Sequence, residues 1–256
     1  MAVWERGELA IYYETRGSGF PLLLIAPGGM NSVIGFWNRA AFNPIEIFSR
    51  EYWVIAMDQR NAGKSKGPLE MEDPWGSYAE DQLGLMNHLG IERFHLLGCC
   101  IGCSYALRLI QRAPERVVAA VIEQPIGISE ENRDVLAQNL YGRWAKQLPE
   151  NRPELAPAAV EAFGKRMFTG EFVFSVTREF VRNCKIPMIV MPGNNLDHPR
   201  VIGNEIAALA PNSEIIPEWR HPPELVPPAV ARIKKFLRTH TPSESSSGLA
   251  VKESDA

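Results

Sequence analysis

Three of the four cysteines in this 256-residue chain crowd into five positions, Cys99, Cys100 and Cys103. The middle one has a setting suited to nucleophilic chemistry. It lies at the centre of Gly98-Cys99-Cys100-Ile101-Gly102, after an apolar run at 94–97 that reads as a buried strand and before a helical pattern at 102–112. A glycine–nucleophile–glycine turn between strand and helix is sharp enough that its flanking positions tolerate little side chain. The residue at its centre is forced into a strained backbone conformation and projects over the carboxyl edge of the sheet. A thiol there sits at a helix N-terminus, which favours the thiolate, the reactive form of cysteine. The chemistry such a group performs is attack on an electrophilic carbon to form a covalent intermediate.

A turn of this kind needs a sheet behind it, and the chain supplies the pattern for one. Short apolar runs at 22–26, 53–57, 94–97, 117–122, 186–191 and 214–216 alternate with amphipathic stretches at 78–89, 102–112 and 202–210 and a last helix from Pro227. This rhythm predicts an α/β fold with a mostly parallel sheet flanked by helices. The opening segment, punctuated by Gly7 and Gly17-Ser18-Gly19, reads as a hairpin. Between 128 and 184 the strand signal lapses, and helical spacings such as Leu136, Leu140, Trp144 and Val160, Phe163, Met167 take over. The expected organisation is a core over 1–127 and 185–240, a small helical cap inserted at 128–184, and a disordered tail over 241–256 that is rich in serine and poor in apolar residues.

With these elements in place, residues 7–238 resemble the α/β-hydrolase family. Leu24-Ile25-Ala26-Pro27-Gly28-Gly29 matches the strand and turn where that family places one oxyanion-hole amide, and Asp58-Gln59-Arg60-Asn61-Ala62-Gly63-Lys64-Ser65 is similar to its D-x-R-x-x-G-x-S loop, in the form seen in proline iminopeptidases and cofactor-free haloperoxidases. Trp219-Arg220-His221-Pro222-Pro223-Glu224 lies where the family carries its catalytic histidine. The resemblance implies a Cys100 nucleophile, His221 as base and acid, and an acid in the loop after Pro192-Gly193, where Asp197 is the carboxylate present. Some members place the acid after the preceding strand, which makes Glu123 the alternative. It also implies an oxyanion hole from the amides of Gly29 and Ile101. Dienelactone hydrolases of this family use Cys, His and Asp on enol-lactones. The corresponding expectation is hydrolysis of activated esters, lactones or thioesters through a cysteinyl acyl-enzyme, because a thiolate is expelled from the first intermediate unless the departing group leaves at least as readily.

Other readings are narrower. An acyltransferase would use the same residues, and a binding protein of this fold would keep them without turnover. Cys100-Ile101-Gly102-Cys103 is formally a C-x-x-C redox spacing, although a thioredoxin architecture has no use for the Asp58–Ser65 loop. Asp58 and Arg60 read as stabilisers of their own loop, and His198 as a lining or loop-capping residue. No His pair at ligand spacing and no dinucleotide or phosphate fingerprint is visible, so neither a metal nor a cofactor is expected. A composition of 45% hydrophobic and 22% charged residues is that of a globular protein, and a net charge of −3 offers no footprint for nucleic acid. No apolar stretch approaches a membrane span, and no secretory signal is visible at the start. The expected partner is a small-molecule acyl substrate, in a reducing, cytoplasmic setting.

Overall fold

The computed structural model describes residues 2–243. Among them, eight strands form one sheet: β1 (Ala2–Arg6), β2 (Leu9–Arg16), β3 (Pro21–Ile25), β4 (Trp53–Met57), β5 (Phe94–Cys99), β6 (Val117–Glu123), β7 (Met188–Met191) and β8 (Ser213–Ile215). Their order across the sheet is β1-β2-β4-β3-β5-β6-β7-β8. The first two strands form the expected hairpin, β2 meets β4 antiparallel, and every later pairing is parallel. Leu22, Leu23, Leu24 and Ile25 are all wholly buried, as a continuous apolar run in a strand covered on both faces should be.

Among the described residues, eight α-helices accompany the sheet: α1 (Pro44–Phe48), α2 (Pro74–His88), α3 (Ile101–Arg112), α4 (Leu136–Asn151), α5 (Pro157–Met167), α6 (Arg178–Asn183), α7 (Arg200–Leu209) and α8 (Val226–His240). Helix α2 starts four residues before its apolar pattern does. Pro74 stands at its first turn, and the Asp73 carboxylate accepts from the Gly76 amide at 3.1 Å; this cap satisfies an amide the helix leaves open. Helix α1 and two short 3-10 turns at Gly29–Asn31 and Ile34–Arg39 carry no periodicity by which to find them. The tail expected from 241 lies, beyond residue 243, outside the described residues.

The segment between β6 and β7 carries α4, α5 and α6 and, among the described residues, no strand. It docks on the loop after β4: Trp144 Nε1 donates to the Asn61 carbonyl at 2.8 Å, and Trp75 Nε1 of α2 donates to the Met167 carbonyl at 2.8 Å. Trp144 and Phe163 are buried, each contributing about 1.5–3 kcal/mol of apolar burial. The loop beneath is held by its own charges. Asp58 accepts from the Ile34 amide at 2.8 Å and the Lys64 amide at 3.0 Å, and Arg60 grips Asp81 through two bonds of 2.7 and 2.6 Å. Asp58 and Arg60 are therefore structural, as their position at a strand end suggests.

Candidate active site

At the end of β5 the chain makes the sharp turn its glycines permit. A Cβ on Gly98 would overlap the Gly102 carbonyl, and one on Gly102 would overlap the Ile25 carbonyl of β3. Between them Cys100 holds φ 60°, ψ −123° and stands at the N-terminus of α3, a conformation that costs about 1–3 kcal/mol for a residue with a side chain. The turn is anchored across the sheet, where the Cys100 amide donates to the Glu123 carbonyl at 3.0 Å. Burial pushes the Cys100 thiol up, yet it lies below the usual thiol range. The charge and hydrogen bonding of His198 outweigh the burial, together with the backbone amides of Gly28 and Ile101. The Ile101 amide is thus one of two that face the sulfur. Its companion at the sulfur is Gly28, whereas Gly29, at φ 58°, is turned so that a Cβ there would strike the Leu140 carbonyl of α4.

His198 comes from the loop after β7. Asn195 Oδ1 accepts from the His198 backbone amide at 2.9 Å and lies 2.9 Å from His198 Nδ1. An oxygen that accepts from the amide also accepts from the ring, so Nδ1 carries the proton and Nε2 is left for the thiol. His198 Nε2 is buried and forms no hydrogen bond of good geometry among the described residues. Burial lowers the imidazole, but Cys100 first and Asp197 second raise it, against a smaller opposing effect of Arg220, and it ends above its ordinary value. The tight Asn195–His198 turn depends on Gly193, whose absent Cβ would overlap the Cβ and carbonyl of His198. From the other side Asn132 Nδ2 holds the Leu196 carbonyl at 2.8 Å.

The remaining expected site residues lie elsewhere. His221 is exposed and is not among the groups that set the charge of Cys100. In its loop Trp219 and Arg220 turn inward: Trp219 Nε1 donates to the Pro192 carbonyl at 2.8 Å, and Arg220 donates to Gln124 Oε1. Chain order pointed to His221; the inward turn of its two predecessors leaves it outside. Asp197 does not reach His221 either. Its Oδ1 accepts from Asn139 Nδ2 of α4 at 3.0 Å, so it lies beside His198 along the chain and not behind a ring nitrogen.

Glu123, the alternative acid, closes the floor of the site. It is wholly buried, directly across the ladder from Cys99, and neither carboxyl oxygen forms a hydrogen bond of good geometry among the described residues. Burial pushes its carboxyl up to about 7, while Cys99, Arg220 and His198 draw it down. Burial likewise pushes the Cys99, Cys103 and Cys184 thiols up, the first two far above their usual range. Cys103 Sγ lies 3.1 Å from the Gly98 carbonyl and 3.2 Å from that of Glu123, which leaves it a packed, protonated thiol. All four cysteines are free. No cluster of three His, Cys, Asp or Glu side chains suited to a metal occurs among the described residues, and no helix there is long and apolar enough to cross a membrane.

Sequence reasoning missed Asn195, Gly28 and the roles of Gly193 and Arg220, and it gave His198 only a lining or capping role. The signal for His198 was an Asn-x-x-His turn directly after a strand, five residues beyond a glycine.

This sheet order, with a strained turn after its fifth strand and a helical segment after its sixth, is that of a known family. Residues 21–200 match the family described as alpha/beta hydrolase fold, and the chain belongs to it. Among named relatives it is 33% identical over 125 residues to a 2-hydroxymuconate semialdehyde hydrolase of Pseudomonas putida, a match covering 47% of this chain and 43% of that protein. It is 30% identical over 155 residues to a fluoroacetate dehalogenase of a Burkholderia species, covering 58% of this chain and 49% of that one. The chain thus spans less than half the length of these curated relatives. A meta-cleavage product hydrolase from Pseudomonas fluorescens IP01, solved as a mutant complexed with acetates, superposes with a TM-score of 0.69 at 18% identity, over 91% of this chain and 96% of that one. That likeness is one of fold.

Proposed function

We propose that this protein is a hydrolase of activated carboxylic esters, lactones or thioesters, with Cys100 as nucleophile and His198 as its base and acid. One arrangement carries the reading: Cys100 stands in a strained turn at the N-terminus of α3, and His198, braced by Asn195 at its amide and at Nδ1, is the first group that opposes the burial of the thiol. The shift at each group favours its charged form, thiolate on Cys100 and imidazolium on His198. Asn195 fixes the ring from behind, giving a Cys–His–Asn arrangement in place of the Cys–His–Asp expected from chain order, and the Asp197 carboxylate adds charge in favour of the imidazolium. The Pseudomonas putida relative is likewise named a hydrolase, of a semialdehyde, which supports hydrolysis as the reaction type.

The Cys100 thiolate attacks the acyl carbonyl carbon, forming the C–S bond while the carbonyl electron pair moves to oxygen. The amides of Gly28 and Ile101, already facing the sulfur, hold that oxyanion. Collapse breaks the bond to the leaving group, which takes the His198 proton and leaves a thioester. Neutral His198 then removes a proton from water as the water adds to the thioester. A second collapse releases the carboxylic acid and restores the thiolate.

Intact-mass measurement after incubation with aryl esters and lactones tests this. An acyl increment is expected on Cys100 and is lost in Cys100→Ala, while Cys99→Ala and Cys103→Ala retain it. Across one acyl group with leaving groups of graded acidity, the rate of the native enzyme rises steeply with leaving-group acidity, and Cys100→Ser flattens the dependence. Ethyl esters turned over as fast as aryl esters, or an acyl increment surviving in Cys100→Ala, would overturn the proposal.

A further inference from the structure

The turn that carries His198 is closed by bonds within itself. Asn195 and His198 exchange backbone hydrogen bonds, and Asn195 Oδ1 receives the His198 amide and faces Nδ1. Such bonds fix the shape of a turn, but they do not fix where it stands relative to Cys100. The side chain at its middle adds no anchor, because Leu196 is 46% exposed. Among the described residues, the hydrogen bonds that reach positions 195–197 from elsewhere in the chain come from the segment between β6 and β7. Asn132 Nδ2 donates to the Leu196 carbonyl at 2.8 Å, and Asn139 Nδ2 donates to Asp197 Oδ1 at 3.0 Å.

The two bonds differ in their surroundings. Asn139 is exposed, so its bond competes with water. Asn132 is wholly buried, with its oxygen and both of its N–H donors engaged: Oδ1 accepts from the Ser129 amide at 2.8 Å, and Nδ2 donates to the Gly127 carbonyl at 2.9 Å as well as to Leu196. Its backbone carbonyl accepts from the Leu136 amide at 2.9 Å, where α4 begins. The anchor is itself fixed. A Cβ on Gly127 would meet Ile202 of α7 and the Phe172 carbonyl, and the Ile128 amide donates to that carbonyl at 2.7 Å. One carboxamide thus ties the exit from β6, the start of α4 and the turn that holds the base.

We infer that Asn132 is a positioning residue: through the Leu196 carbonyl it sets the distance of His198 from Cys100, so that the base is in place only while the segment between β6 and β7 is seated. The inference rests on Cys100 and His198 being the reacting pair. It is separate from the brace that Asn195 supplies, which orients the ring within the turn. The same segment lays the Leu140 carbonyl against Gly29, so its seat bears on both sides of the nucleophile.

A double-mutant cycle tests this, because a residue that acts through His198 has nothing to act on once the ring is gone. Aryl-ester turnover and the alkylation of Cys100 by iodoacetamide at about pH 6 are measured in the native protein, Asn132→Ala, His198→Ala and the double variant. Asn132→Ala lowers kcat by about 10- to 100-fold with KM nearly unchanged, and it slows alkylation because the displaced ring no longer favours the thiolate. In the His198→Ala background the same substitution changes neither rate by more than about twofold. An equal loss in both backgrounds overturns the inference, as does native turnover in Asn132→Ala. Should that variant not fold, Asn132→Asp keeps the size of the side chain and the acceptor for Ser129 but removes both donors; a native kcat there overturns the inference equally. Failure of the reacting pair itself is distinct, since His198→Ala alone would then retain native turnover and alkylation.

Discussion

Two neighbouring loops leave the carboxyl edge of the sheet, after β7 and after β8, and each carries a histidine. The first folds back on itself. Asn195 receives both the amide and the ring of His198, Gly193 lets the two backbone stretches touch, and Asn132 ties Leu196 down. The second buries Trp219 against Pro192 and sends Arg220 inward to Gln124, which turns His221 to solvent. Which histidine comes near Cys100 is thus settled by the loop whose backbone folds back towards it. A histidine's place in chain order does not decide it.

Exchanging each histidine for alanine should expose the largest contrast. Aryl-ester turnover falls by about 10³-fold or more in His198→Ala, the scale of losing a base that works as a unit with its nucleophile, and stays within about twofold in His221→Ala, an exposed side chain. The reverse result would return the role to the loop after β8. A smaller effect is expected from Gly193→Ala, whose added methyl group must displace His198. A shift of roughly 1 Å costs on the order of 10²-fold in rate, with little change in the binding of a competitive product acid. Gly193→Ala with native turnover would show that the turn does not position the ring.

The smallest effect is thermodynamic and concerns the floor that both loops overhang. The Glu123 carboxyl ionises near 4.5 in an unfolded chain and near 7 in the fold. Between those values the folded state holds more protons, so the contribution of Glu123 to stability is fully present below about 4.5 and declines as pH rises towards 7. Glu123→Gln removes that decline. Its Tm relative to the native protein should therefore rise by a few degrees between about pH 4 and pH 8, read by calorimetry at both pH values. A difference independent of pH would mean that Glu123 is charged, or neutral, throughout.

The sheet and the turn at Cys100 were legible because their signals are local. A wholly buried strand such as 22–25 is apolar end to end, and the two glycines of the turn are demanded by contacts with Gly102 and Ile25 themselves. The partner of Cys100 was not legible in the same way. His198 and His221 lie in polar, proline-bearing loops without periodicity, and what separates them is close packing: a backbone approach at Gly193 that leaves no room for a Cβ, and the long-range grip of Asn132 on Leu196. The oxyanion side shows the same limit. Gly28 and Gly29 are indistinguishable as letters, whereas in the fold a Cβ on the first would meet Phe36 and one on the second Leu140, more than a hundred residues on. The alternative acid was visible at Glu123 by position, whereas its burial beside Cys99 and the diversion of Arg220 to Gln124 follow from strand register and a strained φ.

The uneven treatment of the four thiols has a practical corollary. Three are pushed towards their protonated forms by burial, and Cys100 alone is drawn the other way. Towards an electrophilic dye in mildly acidic buffer, where ordinary thiols are silent, a chain with four cysteines behaves as one with a single handle. A fluorophore placed there would sit at the N-terminus of α3, beside Gly28 and the loop that carries His198. It would report on the surroundings of that turn without any engineered mutation.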